Sequence, residues 1–202
     1  MDSKDVLKAK IEQMEENVLH PNQLTLFGFL MAVFAFPLSF LSPWLSILLF
    51  ALALIIDAMD GWYARQMKRT SSVGAFLDGI SDRLVEILLI LSVWFQPIPS
   101  LWIDTKLLLL TIAFFGSCLT SYVKAYAISK KVIPSHILKD KGDKAIPTLF
   151  SRKYRAAALF FALVFAFINT QWSYSLLFLS SVLAIITVIH TIAYIIVLSR
   201  RR

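Results

Sequence analysis

Four aspartates, Asp57, Asp60, Asp78 and Asp82, fall within the run DAMDGWYARQMKRTSSVGAFLDGISD. Apolar sequence flanks it, LLFALALII before and ILLILSVWF after. Ionised carboxylates are costly beside hydrocarbon, so a group of this size needs compensating charge. On helices, Asp57 and Asp60 stand at i and i+3, and Asp78 and Asp82 at i and i+4, so each pair shares one face. Two such pairs on adjacent helices can converge on one point. Hard divalent cations take oxygen ligands of this kind and retain positions for water or substrate phosphate. Two such ions can clamp a phosphoanhydride, stabilising both the attacking and the leaving oxygen.

The neighbouring residues suit the same chemistry. Gly61, Ala64 and Arg65 continue the Asp57 face, and Gly74 begins the Asp78 face. Small residues let helices approach closely, which alone would be ordinary packing. Beside the aspartates they also let a flat ligand lie on the helix surface. Arg65 suits a bidentate contact to phosphate, while Lys68 and Arg69 read as membrane-side anchors.

These residues must be carried by membrane helices. The chain has 202 residues, 58% hydrophobic and 16% charged, with a formal net charge of +7. A soluble domain carries about 25% charged residues. Apolar stretches predict six transmembrane helices at 23–42, 44–67, 72–96, 105–129, 154–170 and 173–198. The second and third are interrupted by the aspartates, which requires their polar ends to face a protein-lined cavity. The fifth is short and is expected to extend into the basic residues before it. Of the 20 Lys and Arg residues, all but Lys106 fall on one side of this arrangement. That asymmetry predicts cytoplasmic termini and a cytoplasm-facing aspartate cluster.

Residues 2–19 repeat Leu7, Ile11, Met14 and Val18 at helical spacing, which predicts an amphipathic helix on the membrane surface. The expected fold is therefore an all-α integral membrane protein. A juxtamembrane helix occupies 1–22 and a six-helix domain 23–202. No cleavable signal peptide and no nucleic-acid partner are expected. The single cysteine, Cys118, excludes an intrachain disulfide and reads as a packing residue.

The pattern D-x2-D-G-x2-A-R-x8-G-x3-D-x3-D resembles the signature of the CDP-alcohol phosphotransferases, with every fixed position filled. The resemblance implies displacement of CMP from a CDP-linked lipid by an incoming hydroxyl. It implies two divalent cations, Mg²⁺ or Mn²⁺, on Asp57, Asp60, Asp78 and Asp82, with Asp82 also the general base. Gly61, Ala64, Arg65, Ser71 and Gly74 would line the CDP-lipid site. The segment HPNQLTLFGFL resembles the family's first-span entry, which would bring Pro21, Asn22, Gln23 and Leu24 near the nucleotide. Read without the resemblance, Pro21 and Asn22 are only a helix-start signal. A homodimer is the family expectation, with the apolar faces of the third and fourth spans as candidate interface.

The acceptor alcohol rests on a second set of cations. SYVKAYAISKK and SRKYRAAAL resemble the span-four and span-five stretches of the phosphatidylinositol-phosphate and archaetidylinositol-phosphate synthase branch. Lys124, Arg152 and Arg155 would form its acceptor-phosphate pocket, for inositol phosphate or, alternatively, glycerol-3-phosphate. Tyr126 and Ser151 depart from that branch's pattern. A divalent-cation transporter would need acidic residues distributed through the membrane depth, whereas these cluster at one end.

Overall fold

Long apolar runs with polar ends form helices here because each apolar stretch can bury one stripe and satisfy its backbone internally. The computed structural model describes residues 21–66, 72–133 and 146–200. Among them are six long helices: α1 Pro21–Leu41, α2 Pro43–Gln66, α3 Ser72–Trp94, α4 Thr105–Ser129, α5 Arg152–Ile168 and α6 Thr170–Ser199. No strand occurs among the described residues. The expected helix ends fall within about one turn of those observed. α5 starts at Arg152, so it does extend into its basic flank. The expected surface helix at 2–19 lies outside the described residues.

Among the described residues two helices, α4 and α6, are long and apolar enough to cross a membrane by length and composition. α1 and α2 hold shorter apolar runs, Thr25–Leu41 and Pro43–Met59. Every helix also turns large apolar side chains outward, among them Phe34, Leu48, Phe76, Leu110, Phe161 and Ile189.

The core lies between the helices, with Phe50, Leu89, Leu109, Ile112, Leu159, Leu163 and Leu177 fully buried. Small hydroxyls tie neighbouring helices together by donating to backbone carbonyls. Ser46 donates to Ala35 O (2.8 Å), Ser173 to Ala162 O (2.8 Å) and Ser181 to Leu108 O (3.0 Å). α1 packs on both α2 and α3, and α5 packs on α2, α3 and α6.

Caps gather at the end opposite the aspartates. Asp104 accepts from the backbone of Lys106 and Leu107 at the start of α4, and Asn169 does the same at the start of α6. Tyr174 fastens the loop before α4: its hydroxyl accepts from Trp102 N and Ile103 N and donates to Ile103 O.

The middle of α4, Ile112–Leu119, is wound as a π-helix. Such turns are rare and frequently mark functional sites. Here the π turn holds Gly116 and Ser117, both buried, against α3 and α5.

Candidate active site

α2 and α3 bring their acidic faces together as the spacing requires. Oxygens of Asp57, Asp78 and Asp82 all lie within 4.8 Å of one another. Asp82 is buried, while Asp57 and Asp78 are partly exposed. Asp60 is one turn beyond Asp57 on α2, placed as helical backbone. Gly61, Ala64 and Arg65 are likewise described only as the backbone of α2. Ser71 lies outside the described residues. Gly74 is in the first turn of α3.

Pro21, Asn22, Gln23 and Leu24 form the first turn of α1. One turn on, Thr25, Gly28 and Phe29 line a small cavity with Ala53, Asp57, Ser81 and Val85. A Cβ on Gly28 would come 3.0 Å from Ile56 Cγ2, so glycine permits the close approach of α1 to α2 beside Asp57.

The compensating charge arrives from α5. Arg152 Nη2 donates to Asp57 Oδ2 at 3.1 Å, across 95 residues of sequence, and Nη1 pairs with Asp82 Oδ2. Arg152 and Asp57 keep about a quarter of their side-chain surface exposed (24% and 29%), so this layer is open to the surface. Three carboxylates against this one ion-paired guanidinium leave the described cluster net negative. An all-carboxylate, hard-oxygen donor set of this charge fits Mg²⁺ or Mn²⁺, not a soft metal. Asp57, Asp78 and Asp82 would hold the ion, with Asp60 on the same face of α2.

One turn further along α3 and α5 lies a second layer. Glu86 and Arg155 are both buried, at 1% and 3% exposure. Arg155 Nε donates to Glu86 Oε1 at 2.8 Å, Nη2 to Oε2 at 3.4 Å, and Nη1 to Phe150 O at 3.1 Å. Ser117 donates to Glu86 Oε2 at 2.9 Å. Phe150 N in turn donates to Thr187 Oγ1 of α6 at 3.1 Å. Arg155, expected on sequence in the acceptor pocket, is buried in this layer. Glu86 and a backbone carbonyl take up its guanidinium, and withdrawing it would leave Glu86 buried and unpaired.

Lys124 is half-buried, and its Nζ donates to Ile146 O at 2.9 Å, tying α4 to the segment before α5. Arg83, beside Asp82, donates to Ser121 Oγ at 2.7 Å. Sequence reasoning missed Glu86, Gly116, Ser117 and the Arg83–Ser121 bond. Glu86 had a usable signal: it follows Asp82 by four residues on the same face, just before an apolar run. An acid so placed requires a cation partner.

The decisive comparison is with a family whose sequence pattern matches residues 18–193, described as CDP-alcohol phosphatidyltransferase. The chain belongs to the CDP-alcohol phosphatidyltransferase family. Among its relatives is the archaetidylinositol phosphate synthase of Aeropyrum pernix, 30% identical over 177 residues, which cover 87% of this chain and 82% of that protein. The CDP-diacylglycerol–glycerol-3-phosphate 3-phosphatidyltransferase of Pectobacterium atrosepticum is 30% identical over 166 residues, 73% of this chain and 88% of that one. The bifunctional IPC transferase and DIPP synthase of Archaeoglobus fulgidus is 34% identical over 116 residues, 57% of this chain. The match covers only 22% of that bifunctional protein and 23% of its Aquifex aeolicus counterpart. No solved structure matches the chain. Family membership agrees with the aspartate signature and with the suggested inositol-phosphate branch, and the relatives include enzymes named for two different acceptors.

Proposed function

We propose that this protein transfers a phosphatidyl or archaetidyl group from a CDP-linked lipid to a phosphorylated alcohol, inositol phosphate first, releasing CMP. The observation that carries the reading is Arg152. This cation, assigned to the acceptor pocket on sequence, contacts Asp57 and Asp82 directly. A phosphorylated acceptor held by Arg152 would therefore lie against the carboxylates that serve the reacting phosphate. Guanidinium presents five donors in a planar fork, so one edge can remain on Asp57 and Asp82 while another meets phosphate.

In the proposed reaction the acceptor hydroxyl oxygen bonds to the lipid-side phosphorus as the bond from that phosphorus to the CMP phosphate oxygen breaks. The hydroxyl proton passes to Asp82, whose carboxylate is buried and held by Arg152. Divalent cations, when bound, supply positive charge that offsets the charge developing on the transferred phosphate. Asp57, Asp60 and Asp78 complete the ligand set. Gly61, Ala64, Arg65, Ser71 and Gly74, with Pro21 to Leu24, provide the CDP-lipid side. Lys124 lies on the acceptor side with Arg152.

The wider frame belongs to the same proposal. The six helices are six spans, with both termini and the aspartate cluster cytoplasmic. The outward apolar side chains of all six helices support this reading. The protein acts as a homodimer through α3 and α4, whose exposed Leu84, Ile87, Leu91, Leu107, Leu110 and Phe114 supply an apolar face.

Glycerol-3-phosphate is the second reading, favoured by the Pectobacterium relative that covers most of this chain. A CMP-release assay with a CDP-linked lipid and a panel of inositol phosphate, inositol, glycerol-3-phosphate and serine tests the proposal. Inositol phosphate is expected to give the highest kcat/KM. Preference for glycerol-3-phosphate would establish the second reading, and equal turnover of inositol and inositol phosphate would remove the phosphate pocket.

A further inference from the structure

Asp78, Asp82 and Glu86 recur every four residues along one face of α3, and Arg152 and Arg155 lie three apart on α5. The two helices therefore meet in two stacked arginine–carboxylate layers: Arg152 with Asp82, and Arg155 with Glu86. Only the first is open to the surface.

We propose that Glu86 is a positioning residue for acceptor binding: through Arg155 it fixes the first turn of α5, so that Arg152 is presented to Asp57, Asp82 and the acceptor phosphate. The proposal rests on the reading of Arg152 as the acceptor's phosphate contact.

Three features support it. The start of α5 has no side-chain cap, because Ser151 makes no capping hydrogen bond. The segment entering the helix is held instead by the Arg155 guanidinium, whose Nη1 donates to Phe150 O at 3.1 Å. The guanidinium that does this is oriented by Glu86, and Ser117 on α4 orients Glu86 from the other side.

Second, the fit around Arg155 is closed. A Cβ on Gly116 would stand 2.7 Å from Arg155 Cδ and 3.2 Å from Nε. The π turn thus sets a backbone wall against the arginine stem, where any side chain would displace it. Third, a buried ion pair is an expensive way to hold two helices, since apolar residues of similar volume often do as well. What apolar residues cannot do is fix direction: a fork of N–H groups on a carboxylate sets both the rotation and the axial register of α5 against α3. Arg152, less than one turn away on the same face, inherits that register.

Glu86→Gln removes the charge, and Gly116→Ala keeps both charges while pushing the Arg155 stem. Each is tested by initial-rate CMP release, with acceptor and CDP-lipid varied separately, beside a melting curve and Arg152→Ala. Both variants are expected to raise the acceptor KM at least about five-fold and the CDP-lipid KM less than two-fold. Ser117→Ala, which leaves the pair intact, is expected to move the acceptor KM in the same direction by less. If Glu86→Gln and Gly116→Ala lower the melting temperature but leave the KM ratio unchanged, the role is structural and the proposal falls. If both KM values rise together, it falls as well. If Arg152→Ala itself leaves the acceptor KM unchanged, the acceptor-site reading fails first and the positioning role with it.

Discussion

Arg152 and Arg155 leave one face of α5 and meet carboxylates four residues apart on α3, yet their surroundings differ. Arg152 keeps 24% of its side chain exposed and touches two aspartates of a three-carboxylate cluster. Arg155 keeps 4% exposed, meets one carboxylate, and has Ser117 and Phe150 O completing the network. The same pair chemistry serves two ends. In the open layer, charge is left over: the carboxylates outnumber the guanidinium, and a cation or a substrate phosphate can enter. In the closed layer, charge is balanced and donors and acceptors are matched, so nothing further can bind without breaking what is there. Under the proposed function, excess charge next to solvent marks the reacting layer, and satisfied charge beneath it marks the scaffold.

The sharpest break of this comparison is Asp82→Asn. The open layer loses its buried carboxylate, and CMP release is expected to fall about 10²- to 10⁴-fold, the range for loss of a general base. CDP-lipid binding, measured by equilibrium titration, is expected to persist. Substantial residual turnover would take the base away from Asp82. In the closed layer, Glu86→Ala leaves a buried guanidinium without its carboxylate, and the expected loss is about 3–5 kcal/mol of stability. Asp57→Ala, removing a partly exposed partner of Arg152, is expected to change stability by less than about 1 kcal/mol while stopping turnover. Melting curves of the two variants in the same detergent check the contrast. Equal destabilisation would erase the distinction between layers.

Arg152→Ala comes next. Its effect is expected on the acceptor KM, about 10- to 10²-fold, with the CDP-lipid KM little changed. Loss of one charge-assisted phosphate contact is worth about 1.5–3 kcal/mol. Parallel rises in both KM values would move Arg152 from the acceptor to the reacting phosphate. The smallest effect is expected from Ser117→Ala, about 1 kcal/mol of stability for one hydrogen bond onto a carboxylate that keeps its ion pair. A loss as large as that of Glu86→Ala would make Ser117, not Arg155, the main partner of Glu86.

Much of this arrangement was legible in the residues. The apolar runs predicted helix positions to within about a turn, because a long apolar stretch between polar ends has few other ways to satisfy its backbone. The aspartate spacing predicted convergence of Asp57, Asp78 and Asp82, because helical periodicity places i, i+3 and i+4 on one face. Arg152 was also placed near the cluster on its resemblance to the span-five stretch. The burial of Arg155 was not legible for a physical reason: both arginines stand in one basic run, and a charge run does not say which cation turns inward. That choice is made by Glu86, almost 70 residues earlier in the chain. Gly116 and the π turn were invisible for a related reason. FFGSCLTSY reads as an ordinary apolar helix, and the partners its π turn meets, Arg155 beside Gly116 and Glu86 bonded to Ser117, come from distant parts of the chain.

Metal-dependent transfer at the open layer is the central claim. The direct measurement is CMP release by the purified protein with a CDP-linked lipid and inositol phosphate, in Mg²⁺ and after removal of divalent ions by EDTA. Release is expected in Mg²⁺, is expected to stop in EDTA and to return when Mg²⁺ is restored. CMP release that continues undiminished in EDTA would contradict the assignment of Asp57, Asp60, Asp78 and Asp82.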